Sequence, residues 1–260
     1  MSAAPLLRVE DVRRSYGGVA AVAGASFDVA EGSMTALIGP NGAGKTTAFD
    51  LISGFVRPQG GSVAFAGSRI DGRAPETIAR AGLDRTFQLT RLFRAMSVRD
   101  NLVVAGQRHP GESLVRVVLQ PLASIRRERE IRRRARSLLE RFRLADKAEE
   151  LAGSLSGGQG KLLELARVLM ASPRMVLLDE PFAGVNPTLT RELLAQIEEM
   201  RAEGVTVLFI EHDLDVVMTH AQHVIVMANG RVIATGHPDE VRRDERVLDA
   251  YLGTSDVGAT

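Results

Sequence analysis

The sequence predicts an α/β fold, with a parallel-sheet core, a small antiparallel β subdomain and an inserted helical subdomain. Three observations predict it. The runs SMTALIG at 33–39, RMVLLDE at 174–180 and VTVLFIEH at 205–212 are apolar on both faces, as strands covered on both sides of a sheet read. Between the last two runs, Leu189, Leu193, Ile197 and Met200 recur at helical spacing, which makes a strand–helix–strand unit with a right-handed crossover. From about 89 to 153 strand character gives way to an arginine-rich helical pattern, with RRERE at 126–130 and RRRAR at 132–136.

Each element follows in chain order. LLRVEDV, ASFDVA and SVAFAG alternate apolar and polar residues between glycines, the signature of half-buried antiparallel strands. The first all-apolar strand runs into a glycine-rich loop at 39–47 and then a helical pattern. Asn229-Gly230 lies between the strand-like halves of VIVMANGRVIATG at 224–236, a strong hairpin signal. The expectation is one domain over 6–253. Segments 6–88 and 154–253 form the α/β core with its β subdomain, 89–153 forms the helical subdomain, and 254–260 is a frayed tail.

The 260 residues are 45% hydrophobic and 25% charged, an ordinary globular balance, with a formal net charge of +1. No global field draws the chain to nucleic acid or anionic lipid. The absence of cysteine excludes disulfides, thiolate chemistry and cysteine-ligated metal centres. MSAAPLLRVEDV lacks the features of a secretory signal, and no apolar run approaches the roughly 18–20 residues that span a bilayer. The expectation is a soluble chain that serves any membrane process from the cytoplasmic face, as a peripheral subunit. The arginine run at 126–143 contains Glu128, Glu130 and Glu140, so it reads first as a solvated helical face with local pairing. Contact with lipid headgroups is the sharper alternative. No aromatic platform accompanies it, so nucleic-acid binding is not expected.

GPNGAGKT at 39–46 fits the P-loop pattern between a strand and a helix. Gly39, Pro40, Asn41, Gly42, Ala43, Gly44 and Thr47 shape or extend a loop whose backbone N–H groups turn toward phosphate oxygens, where the helix dipole also favours an anion. Lys45 can reach the β- and γ-phosphates, and the Thr46 hydroxyl can bind Mg²⁺. MVLLDE at 175–180 ends a buried strand in Asp179, placed to hold Mg²⁺ through its water shell. Glu180 follows at the sheet edge where ligands of α/β proteins sit, and a carboxylate there can polarise a water for attack on the γ-phosphate. His212 ends another strand at the same edge, where an imidazole could contact the γ-phosphate and orient the water. Gln88, in DRTFQ at 84–88, lies where the core passes into the helical segment, and its amide can sense Mg²⁺ or water.

LSGGQ at 155–159 is a second anion cradle. Ser156 and the N–H groups of Gly157 and Gly158 open a helix, with Gln159 behind them. Two phosphate-binding elements in one chain need a reason. With the other motifs in this order, the chain resembles the ATP-binding subunit of ABC transporters over roughly 6–253. The resemblance implies ATP as substrate, Mg²⁺ as cofactor and a head-to-tail pair of ATPase chains. Each ATP would lie between one chain's P-loop and the other's signature, and binding would close the dimer. It further implies that Tyr16 stacks on adenine and that Thr46, Gln88 and Asp179 serve magnesium. Glu180 would be the general base and His212 the switch histidine.

Two positions depart from the family pattern. Gly160 replaces a polar residue after the signature, and glycine costs about 1 kcal/mol in a helix interior. Asn186 replaces aspartate in EPFAGVNP, which keeps hydrogen bonding and loses charge.

EPFAGVNP, RTFQLTRLF at 86–93, AYLG at 250–253 and the length around 106–130 are similar to one branch, the ATPase subunits of branched-chain amino acid importers. That branch implies a second ATPase chain, identical or homologous, two membrane permeases and, indirectly, a solute-binding protein outside the membrane. Urea or amide import and lipopolysaccharide export are the alternatives within the family. A non-transport ABC ATPase would be expected to carry two ATPase domains or long arms, and a small-molecule P-loop kinase would leave LSGGQ without a purpose.

Overall fold

The computed structural model describes residues 4–86, 92–106 and 121–252. β1 (Leu7–Tyr16) turns at Gly17 and Gly18, both with positive φ, into β2 (Val19–Val29), and the two pair antiparallel. Leu7, Val9 and Val12 face inward from β1, while Arg8 and Glu10 between them are exposed, which is the alternation read from the sequence. β3 (Met34–Ile38) leads into α1 (Lys45–Ile52). β4 (Gly60–Phe65) adds to the other side of β1 and pairs with the short β5 (Ser68–Arg69), so the antiparallel sheet has the order β2-β1-β4-β5. α2 (Pro75–Arg80) and β6 (Leu83–Arg85) follow.

The second sheet is assembled from distant parts of the chain. β7 (Met175–Asp179) and β8 (Thr206–Ile210) are, like β3, buried at every position. β9 (His223–Ala228) and β10 (Arg231–Gly236) complete the order β10-β9-β3-β8-β7-β6. All neighbours run parallel except β9 and β10, which form the hairpin expected at Asn229-Gly230. Both turn residues have the positive φ that this two-residue turn demands, 50° and 74°. One apolar core includes Leu7 and Phe65 from the first sheet, Phe49 and Ile52 from α1, and Leu177, Leu208 and Met227 from the second sheet.

Residues divide into two compact units. The first is Met1–Arg85, Arg174–Ala183 and Ile197–Thr260, and it holds both sheets. The second is Thr86–Pro173 with Gly184–Gln196. Within the second unit, α3 (Val98–Gly106) packs on α4 (Pro121–Arg141) and α5 (Gly157–Met170). Leu102, Leu138, Leu139, Leu163 and Ala166 are buried there. Asn101 is buried with its polar atoms matched: its amide donates to the carbonyls of Phe93 and Ser97, and its oxygen accepts from the Phe93 N–H. Along α4, Arg126, Arg129, Arg133 and Arg136 are exposed, Arg132 pairs with Glu128, and Arg134 donates to the Leu169 carbonyl. α6 (Pro187–Ala202) starts in the second unit and ends in the first. α7 (Leu214–His220), α8 (Pro238–Val241) and α9 (Glu245–Leu252) complete the first unit. No described helix is long and apolar enough to cross a membrane.

Candidate functional site

The loop at 39–47 joins β3 to α1 and is shaped by three glycines with φ of 147°, 77° and 98° at Gly39, Gly42 and Gly44. Two are also enforced by neighbours. A Cβ on Gly39 would lie 2.0 Å from the Met227 carbonyl oxygen, and one on Gly44 2.2 Å from that of Ala21. The loop is thus wedged between β9 and β2, and only glycine fits both the torsion and the space. Gly44 precedes α1 and supplies no side-chain cap, and the first turn holds no acidic residue. The helix start therefore presents backbone donors and a positive dipole end without a competing anion.

Lys45 is buried, and its ammonium donates to the carbonyls of Gly39 at 2.7 Å and Pro40 at 3.0 Å. Burial pushes its pKa down, and the Glu180 and Asp179 carboxylates partly oppose that. Those carboxylates end β7 and open the turn after it. Glu180 has φ 49°, a left-handed conformation costly for a residue with a side chain. Its N–H donates to Ile210, and its carbonyl accepts from Ala183. The strained backbone is thus held by β8 on one side and the turn on the other. The Glu180 carboxylate lies 3.0 Å from His212 Nε2.

Asp179 is almost wholly buried. Its Oδ2 accepts from Arg85 Nη2 at 2.9 Å, while its Oδ1 is buried with no hydrogen-bond partner. Burial pushes this carboxyl up, Arg85 pulls it down, and Glu180 and Asp50 push it up again. A buried carboxylate oxygen without a donor is costly unless a cation or its water shell answers it. Among the described residues no group of three or more His, Asp or Glu could cage a metal. One carboxylate with the hydroxyl of the exposed Thr46 at a helix start fits Mg²⁺, which takes its remaining ligands from water and phosphates.

Tyr16 ends β1 and is exposed, with the Arg14 guanidinium 4.8 Å from its ring centroid. It pairs with Val19, two residues before the Ala21 that abuts Gly44. Gln88 lies outside the described residues.

The signature belongs to the second unit. Ser156 caps α5 through its hydroxyl, which accepts from the Gln159 N–H, while the Gln159 side chain accepts from the Ser156 N–H. A Cβ on Gly157 would meet nothing within 4 Å, whereas one on Gly158 would lie 2.3 Å from Leu189 Cδ2. Gly160 is buried inside α5, and its N–H donates to the Ser156 carbonyl at 2.9 Å. The helix therefore starts in register despite this glycine. Asn186 Oδ1 accepts from the Leu189 N–H at 2.9 Å, capping α6.

Three residues important to this geometry were not singled out by sequence reasoning. Arg85 bridges Asp179 and Asp50. Glu211 is buried and accepts the N–H groups of Phe182 and His212, tying the turn after Glu180 to the loop of His212. Tyr251, in AYLG, is half-buried, with its phenol beside the Gly39 backbone. Each is a long-range contact that no local pattern announces.

Residues 22–183 match the family model described as ABC transporter, and 231–257 match one described as branched-chain amino acid ATP-binding cassette transporter. The chain is 42% identical over 250 residues to a high-affinity branched-chain amino acid transport ATP-binding protein of Pseudomonas aeruginosa, covering 96% of this chain and 98% of the relative. It is 37% identical to the crystal structure of a nucleotide-free ATP-binding cassette from an ABC transporter, with a TM-score of 0.82, over 95% of this chain and 98% of that one. A cassette solved in its ADP conformation matches at 37% identity and a TM-score of 0.81, over the same shares of the two chains.

Proposed function

The chain belongs to the ABC transporter family of ATP-binding subunits, and from that premise we propose that it is the ATP-hydrolysing subunit of a branched-chain amino acid importer. The observation that carries hydrolysis is the 3.0 Å contact between Glu180 and His212 beside the carboxylate of Asp179 and the buried ammonium of Lys45. In this reading the N–H groups of 39–47 and Lys45 bind the phosphates of ATP, and Tyr16 stacks on adenine. Glu180 takes the proton of the attacking water, and His212 fixes the Glu180 carboxylate and the water's approach. Asp179, Thr46 and Gln88 would hold Mg²⁺, which supplies charge neutralisation to the phosphates. The strained Glu180 backbone, held at both ends, keeps the base oriented without reorganisation during the reaction.

Ser156, Gly157, Gly158 and Gln159 would serve the nucleotide of a second ATPase chain, identical or homologous. The unfilled space beside Gly157 supports this, since an anion can approach the helix start there. Binding of ATP then favours a closed dimer, hydrolysis reopens it, and two membrane permeases at the cytoplasmic face change access. A solute-binding protein outside the membrane delivers the amino acid. The match over 231–257 favours this branch over urea or amide import and over lipopolysaccharide export.

The test has two parts. Glu180→Gln should trap ATP–Mg²⁺ and give a dimer by light scattering, and Ser156→Arg in that background should abolish it. A monomer throughout would sink the self-sufficient homodimer and direct the search to a second ATPase chain. In cells, Glu180→Gln should abolish uptake of labelled leucine. Uptake of urea that is lost in place of leucine would overturn the branch.

A further inference from the structure

Arg85 ends β6, and its side chain is only 6% exposed. One arm, Nη1, donates to Asp50 Oδ1 at 2.6 Å and to Ser53 Oγ at 3.1 Å. The other, Nη2, donates to Asp179 Oδ2 at 2.9 Å. The guanidinium also lies 5.6 Å from the Phe49 ring and 5.9 Å from that of Phe55, so it is clamped by packing as well as by charge. Asp50 and Ser53 belong to the end of the helix that opens with Lys45 and Thr46. Asp179 ends β7. The planar fork therefore holds the candidate cation ligands Asp179 and Thr46 in one frame, which a flexible ammonium could not do with the same geometry. Its bond to Oδ2 leaves Oδ1 as the one oxygen of that carboxylate without a donor.

We propose that Arg85 is a positioning residue for the divalent cation of the nucleotide site, orienting Asp179 through Oδ2 so that Oδ1 is reserved for the cation and its water shell. The proposal rests on the reading of this site as an ATP–Mg²⁺ site. Such outer partners of metal-binding carboxylates fix ligand orientation, and their loss typically costs about 10–100-fold in metal affinity.

The test is binding of a fluorescent ATP analogue to the purified full chain, in EDTA and across a MgCl₂ titration, for the parent, Arg85→Met and Arg85→Lys. The expected result is a Mg²⁺ midpoint raised about tenfold or more in Arg85→Met, with affinity in EDTA held within about twofold. Arg85→Lys should fall between, because it restores charge without the fork. If burial of the unpaired carboxylates prevents Arg85→Met from folding, a raised midpoint in Arg85→Lys alone supports the proposal. An unchanged midpoint in a folded variant overturns it. So does an equal loss of affinity in EDTA, which would make Arg85 a brace of the loop and not of the cation. A parent whose analogue binding ignores Mg²⁺ would overturn the underlying site reading instead, and the proposal with it.

Discussion

Gly158 and Glu211 show how single residues carry the site from behind. Gly158 stands where a Cβ would strike Leu189, so its lack of a side chain serves packing within the second unit. Alanine has the better helix propensity by about 1 kcal/mol, but overpacking costs typically about 1–3 kcal/mol. Gly158→Ala is therefore expected to lower the urea midpoint, and Leu189→Ala is expected to rescue it. A destabilisation that persists in the double variant would refute the packing account. Glu211 is buried, and burial pushes its carboxyl above the ordinary value of 4.5 despite the N–H donors of Phe182, His212 and Asp213. The folded state then holds more protons than the unfolded one between 4.5 and the raised value, so stability falls as pH rises through that window. In Glu211→Gln this component of the slope should vanish, read as denaturation midpoints collected across pH. A slope equal to the parent's would mean that another group causes it.

At the scale of elements, helix starts decide the geometry. α1 begins at a glycine without a side-chain cap, which leaves its first amides to a ligand, whereas α5 and α6 begin with Ser156 and Asn186 capping them. Asn186→Ala should cost about 1 kcal/mol through the lost cap. Asn186→Asp should keep the cap and gain about 0.3–1 kcal/mol from a negative charge at the helix start. Urea denaturation of the three chains checks the order, and an alanine variant as stable as the parent would show that the Asn186 cap contributes nothing. The strands were legible because burial on both faces writes an unbroken apolar run, and the hairpin because Asn229-Gly230 supplies both positive φ values. β6 was not, since three residues ending in arginine carry no period of their own. Its place beside β7 comes from pairing across some ninety residues of chain.

For the whole molecule, α9 reaches back to the start of the loop at 39–47. The Tyr251 phenol lies beside the Gly39 backbone, and burial pushes its pKa up. Tyr251→Phe removes the phenol oxygen beside that backbone, a change of about 1 kcal/mol. Affinity for a fluorescent ATP analogue is expected to fall about fivefold with the fold intact. Unchanged affinity would show that the helix end and the loop are energetically independent.

The sequence by itself determined the chemistry on offer. GPNGAGKT, the Asp179-Glu180 pair and LSGGQ are local patterns whose residue types already specify loops, strand ends and a helix start. It also determined the α/β class, because periodicity and apolar runs are properties of neighbouring residues. Only the tertiary structure decided which groups orient those motifs. Arg85 meets Asp50 and Asp179, Glu211 meets Phe182, Tyr251 meets Gly39, and Gly158 makes room for Leu189. These partners are far apart in the chain. A hydrogen bond or a steric fit depends on positions to within fractions of an ångström, which sheet order and helix packing set and local composition does not.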